Sequence, residues 1–201
     1  MRVNVFLCGV ESHAVTGTSR STSFGTQWLV ALMKTNRPDW DPIEVWQVEE
    51  QLKADAHHFR TAALSCLTSD EVRGVDSTLE HNQWPKHKRP GVLTRAFRSG
   101  SVALPPEAAR VQLARVINNL GVLFLVAGTY VDALYALRQG EQLFRKTLPA
   151  ENRNLGGLLN NLAYAILEDA KSVDASFPAL SAELRAESAK CSREAASLGY
   201  P

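Results

Sequence analysis

Two asparagine pairs, Asn118-Asn119 and Asn160-Asn161, recur in near-identical settings: Ile117-Asn118-Asn119-Leu120-Gly121 and Leu159-Asn160-Asn161-Leu162-Ala163. A carboxamide donates and accepts hydrogen bonds at once, so an asparagine can bracket the N–H and C=O of a peptide main chain. It can equally bridge neighbouring helices or cap loop carbonyls. For Asn118 and Asn160 both uses stay open, while Asn119 and Asn161 are read as structural.

The remaining reactive side chains assemble no catalytic set. His57-His58 offers one metal ligand, His13, His81 and His87 are scattered, and no Cys or His pair has zinc-ligand spacing matched by a second pair. Cys66, near a helix end, reads as small-residue packing. Glu168 and Asp169 are adjacent, and neighbours on a helix point about 100° apart, so they do not form an acid–base pair. Residues 17–26 are rich in Gly, Ser and Thr but lack the Gly-Lys-Ser/Thr ending of a phosphate loop. The reading is therefore a non-enzyme with no cofactor and no metal. One other partner class enters at residues 82–106, which hold Lys86, Lys88, Arg89, Arg95 and Arg98 and no acid. Lys86, Lys88 and Arg89 are candidate nucleic-acid contacts beside Trp84 and Phe97, because cations neutralise phosphates and aromatics stack on bases. A solvated linker is the default there.

Bulk properties narrow the class further. The chain has 201 residues with 22 basic and 21 acidic side chains, so no global field draws it to nucleic acid. No apolar run approaches the roughly 20 residues of a membrane span. Three cysteines, odd in number and far apart, suit a reducing compartment. The expected location is intracellular and cytoplasmic. A mitochondrial or other organellar site is the alternative, since the stretch 1–38 sets Arg2, Arg20, Lys34 and Arg37 against a single acid, Glu11.

The positioning elements are helices. Residues 1–10 alternate weakly and suggest one strand, which would have to pair with another copy, with a partner or with an undetected strand nearby. Residues 12–26 are dominated by Ser and Thr and read as a flexible link. From Asp41, an N-cap candidate, a helix runs to about Leu67 with Val45, Val48, Leu52, Ala56, Phe59, Ala63 and Leu67 on one stripe. Thr68 and Glu71 have the spacing of a capping box and predict a short helix carrying Val72, Val75 and Leu79. Pro105-Pro106-Glu107 opens a helix that ends near Val126, with Gly128 in the left-handed conformation. A second helix follows over about 131–148. A loop containing Asn152, Asn154, Gly156 and Gly157 precedes a third, ending near Asp169. An Ala-rich helix over about 179–198 is closed by Gly199.

The Asn-Asn-Leu-Gly/Ala repeat, with Phe124 one turn later, Gly128 and Tyr130 at the turn and Ala133 beyond, resembles the tetratricopeptide repeat (TPR) family in its long-loop, kinesin-light-chain-like form. The likeness is good over 107–168 and loose from there to the end of the chain. It implies an all-α fold of antiparallel helical hairpins stacked as a short TPR-like α-solenoid, with a less regular N-terminal helical part. The division is then 1–26, a flexible or apolar arm; 27–81, a helical region; 82–106, a basic linker; and 107–201, the repeat domain. The resemblance also implies a concave groove lined by Arg115, Asn118, Val122 and Leu125, and again by Gly157, Asn160, Tyr164 and Leu167. Such a groove would hold a peptide or helix of a protein partner, making the chain an adaptor or scaffold. The alternative is a structural subunit of a large, organellar or ribonucleoprotein, complex. Too few repeats are visible for a free-standing stack, so residues 42–67 are expected to cover the repeat as a degenerate hairpin.

Overall fold

The computed structural model describes residues 5–9, 11–13, 20–22, 24–34, 42–80, 104–147 and 152–200. Among them the fold is all-α: α1 (Phe24–Lys34), α2 (Pro42–Ala63), α3 (Ser69–Glu80), α4 (Pro106–Val126), α5 (Tyr130–Arg145), α6 (Asn152–Val173) and α7 (Pro178–Ser197). A 3₁₀ turn follows α2 at Leu64–Cys66, and two short strands, β1 (Glu11–His13) and β2 (Arg20–Thr22), pair antiparallel. The Ser/Thr-rich stretch read as a flexible link thus holds a short ribbon and the start of α1. Asp41 and the basic run with Lys86, Lys88 and Arg89 lie outside the described residues. The chain divides into two compact units, Met1–Cys8 with Ile117–Pro201, and Gly9–Val116.

In the unit Gly9–Val116, α2 packs on α1 and on α3. The apolar stripe expected on α2 is buried from Val45 through Ala63, with Leu29 and Leu32 of α1. The helix ends at Ala63, however, and Leu67, expected on the stripe, is half-buried in extended backbone beyond the 3₁₀ turn. The capping box at the start of α3 is formed: the Thr68 N–H donates to Glu71 Oε2 at 2.8 Å, and the Glu71 N–H donates to Thr68 Oγ1 at 3.3 Å. Arg60 grips Asp76 with two bonds of 2.8 and 2.6 Å, joining α2 to α3. Charges are also buried in this unit. Arg110 and Glu71, 4% and 3% exposed, form an ion pair, and Arg110 Nη1 donates to the Cys66 carbonyl at 2.8 Å.

The other unit is built from α5, α6, α7 and the half of α4 from Ile117 on. Close approach sets its spacing. A Cβ on Gly121 would lie 2.7 Å from Leu137 Cγ, and one on Gly140 would lie 2.8 Å from Leu158 Cδ1. Ala133, Ala136, Leu137, Leu143 and Phe144 form the buried stripe of α5. Helix α6 packs on both α5 and α7, and Ser188 Oγ donates to the Ala163 carbonyl at 2.7 Å. Arg138 pairs with Glu187 and Arg145 with Glu194. Both residue numbers rise together along the two helices, so α5 and α7 run parallel.

The turns are those the glycines predict. Gly128 has φ 78°, and the Thr129 N–H reaches back to the Phe124 carbonyl at 2.9 Å, which closes a left-handed helix cap. Gly199, also at φ 78°, ends α7 the same way, with the Tyr200 N–H on the Ala195 carbonyl at 3.1 Å. The Asn/Gly loop expected before the third helix is instead the first part of α6. Helix propensity gives way to tertiary fit there. A Cβ on Gly156 would lie 3.0 Å from Tyr200 Cβ, and one on Gly157 would overlap the Phe6 ring, 2.1 Å from its Cδ1.

Among the described residues α4 is the one helix long and apolar enough to cross a membrane, contrary to the reading that no run approaches that length. Buried residues make up 83% of its most apolar window, so that surface faces protein.

Candidate functional site

Residues 6–8 lie against three asparagines that are fully buried, Asn118, Asn119 and Asn161. Asn161 takes both main-chain groups of Phe6: its Oδ1 accepts from the Phe6 N–H at 2.8 Å, and its Nδ2 donates to the Phe6 carbonyl at 2.8 Å. Asn119 does the same to Cys8, accepting from its N–H and donating to its carbonyl, both at 2.9 Å. Bonding both groups of residues i and i+2 on one side is how a β-strand presents its edge to a neighbour. Here two carboxamides replace the neighbouring strand. The strand expected over residues 1–10 is not formed at residues 5–9, which belong to no regular element. In place of the second strand, partner or copy expected to pair with it, asparagine side chains bond its main chain.

The amides are also tied to one another. Asn161 Nδ2 donates to Asn118 Oδ1 at 3.0 Å, and Asn118 Nδ2 donates to the Phe6 carbonyl and to Asn119 Oδ1, each at 3.2 Å. These bonds join neutral amides to one another and to main chain. A buried polar group without a partner is costly, so these amides favour whatever backbone occupies the face. They read main chain, and main chain is common to all peptides.

The segment's side chains have their own contacts. The Phe6 ring meets the Tyr200 ring edge to face, with centroids 5.4 Å apart and planes at 83°, and it rests on the bare Cα of Gly157. Burial raises the Tyr200 phenol above its usual pKa, against an opposing effect of Arg153. Cys8 is 1% exposed.

The expected groove residues divide. Asn118 is in the network. Asn119 and Asn161, read as structural, make the bracketing contacts, and Asn160 is half-buried one position away. Helical phase explains the shift, since adjacent residues differ by about 100° in direction. Val122 and Leu125, expected to offer side-chain sites on an open wall, are closed inside at 0% and 4% exposure. Tyr164 and Leu167 are half-buried. Burial, then the nearby Glu168 carboxylate, raises the Tyr164 phenol pKa. Arg115 falls in the other unit, where Nη1 donates to the Gly9 carbonyl at 3.3 Å. Gly157, expected as groove wall, contacts Phe6. Tyr200 carried no sequence signal beyond its place after Gly199.

His57 and His58 are exposed on α2. Cys66 Sγ lies against the Ala63 carbonyl at 3.1 Å, and burial raises its pKa, so thiolate is disfavoured there. Among the described residues no group of three His, Cys, Asp or Glu side chains could hold a metal ion. Compared with protein-family models, with curated proteins and with solved structures, the chain matches none of them.

Proposed function

We propose that this chain is a non-catalytic protein–protein interaction module, with the helices from residue 107 on forming TPR-like hairpins of a short α-solenoid. It holds a peptide of a protein partner on the asparagine face of α4 and α6 and acts as an adaptor or scaffold. One observation carries the reading: Asn119 and Asn161, the second members of the two repeated pairs, each bracket the N–H and C=O of one residue of a peptide segment, Cys8 and Phe6. That is recognition of backbone by preorganised neutral groups, with residues 6–8 as the resident example.

Selection of a random-peptide phage library on the full-length protein tests it. Peptides enriched on wild type and lost on Asn119→Ala/Asn161→Ala are expected. Equal enrichment on both, or none on either, overturns the reading.

Exposed apolar side chains favour the second reading, a structural subunit of a larger complex. Val131 and Tyr135 lie one turn apart on α5 at 70% and 44% exposure, and Phe177 is 62% exposed. Light scattering on the purified chain separates the two: a clean monomer speaks for the adaptor, self-association for the subunit.

A further inference from the structure

The asparagines read backbone, so the side chains at the same face decide which peptide is accepted. We propose that Gly157 and Tyr200 form an aromatic subsite, and that the partner is an extended peptide with an aromatic residue at the place of Phe6 and a small residue at the place of Cys8. It binds by displacing residues 5–8. The inference rests on the proposed function and narrows it to a ligand class.

Three observations converge. First, Gly157 lies inside α6, where glycine is less favourable than alanine by about 1 kcal/mol. A Cβ there would lie 2.1 Å from Phe6 Cδ1 and 2.3 Å from Cγ, so the missing side chain is the floor of the ring's seat. Second, the Tyr200 ring closes one side in the edge-to-face geometry that aromatic pairs prefer. The left-handed cap at Gly199 places that tyrosine. Third, Cys8 sits two positions on, its main chain bracketed and its side chain 1% exposed, a space that takes a small side chain. Leu7, between them, is half-buried. The pattern is aromatic, any, small.

A main-chain clamp and a ring seat are what an exchangeable ligand needs. The bracketing bonds are neutral and non-covalent, and the amides are as well satisfied by a second peptide as by residues 6 and 8. The resident segment competes from within the chain at an effective concentration on the order of millimolar. A partner therefore binds well only when it presents the ring.

The test uses the full-length chain with Cys66→Ser and Cys191→Ser, leaving Cys8 as the sole cysteine. Maleimide labelling of Cys8 reports release of the segment. Phe6→Ala and, separately, Gly157→Ala are each expected to speed labelling by about tenfold with helicity unchanged. Binding is then read by fluorescence anisotropy on the Phe6→Ala chain. The probes are a labelled peptide repeating residues 5–9 with serine for the cysteine, and the same peptide with alanine for the phenylalanine. The aromatic peptide is expected to bind about tenfold more tightly, and adding Gly157→Ala to the chain is expected to erase the difference. Equal binding by the two peptides overturns the subsite and leaves the asparagine clamp standing. Labelling of Cys8 as slow in Phe6→Ala as in wild type also overturns the subsite. Fast labelling with neither peptide bound overturns the clamp as well.

Discussion

The two units bury polar groups in opposite ways. In Gly9–Val116 two buried contacts are ionic: Arg110 with Glu71, and Lys53 with Glu49 at 2.6 Å, each of these residues at 5% exposure or less. In the unit of α5 to α7 the buried contacts are neutral: amides on main chain and on one another, and serine hydroxyls on carbonyls. A buried ion pair resists separation, because releasing one partner strands a charge in a medium that cannot solvate it. An amide clamp releases a backbone at the cost of hydrogen bonds that water or another backbone can remake. The ionic contacts therefore suit fixed architecture, and the amides suit exchange.

Breaking an ion pair should give the largest effect. Arg110→Ala is expected to lower stability by about 3–5 kcal/mol in urea denaturation. Arg110→Met with Glu71→Gln keeps the cap on Thr68 and removes both charges, so it should be less damaging than Arg110→Met alone. A double variant as unstable as the single would show that the pair is not what stabilises α3 against α4. The amide counterpart is Asn119→Ala. A buried group stripped of its partner costs about 1–3 kcal/mol, but release of the segment limits the loss. The urea midpoint should move less than in Arg110→Ala, while exchange of the Cys8 amide proton accelerates strongly, as in local opening. A global shift as large as that of Arg110→Ala would erase the contrast between the units.

Gly121→Ala probes the packing beneath the clamp. Its Cβ would stand 2.7 and 2.8 Å from Leu137 Cγ and Cδ2, and overpacking of that kind costs about 1–3 kcal/mol. Combined with Leu137→Ala, the damage should be less than the sum of the two single losses. Simple additivity would mean that the two residues do not press on one another.

These residues also show what a sequence can carry. Helix ends were legible because their chemistry is local: the Thr68/Glu71 box, Gly128 and Gly199 act on neighbours in the chain. The repeated asparagines were legible as a pair of sites, but the bracketing member of each pair was not, since one position changes the direction by about 100°. Gly156 and Gly157 misled for a related reason. A glycine that frees a loop and one that admits a close neighbour look alike in one dimension. It is residues distant along the chain, Phe6 against Gly157 and Ala195, Leu198 and Tyr200 against Gly156, that distinguish them. The buried Arg110–Glu71 pair joins two helices far apart in sequence and has no local signature.

The smallest effect should come from the exposed charges joining α5 to α7, the surface contrast to the buried pair. Arg145 donates to Glu194 at 2.8 Å, and this hydrogen bond is the main reason the Glu194 carboxyl is held below its ordinary pKa of 4.5. A carboxyl depressed in the folded state adds stability that is fully present above its unfolded pKa. That stability is lost as pH falls from about 4.5 through the lower folded value. Glu194→Gln should therefore flatten stability against pH in that acid window and leave it nearly unchanged at pH 7, where an exposed pair is worth at most about 1 kcal/mol. High salt should mimic the substitution, because exposed charges are screened, and should leave the effect of Arg110→Ala intact. Thermal denaturation from pH 3 to 7 at low and high salt reads both effects. Equal salt sensitivity of the Arg110 and Glu194 variants would mean that burial does not separate the two kinds of contact, and the comparison between the units would lose its basis.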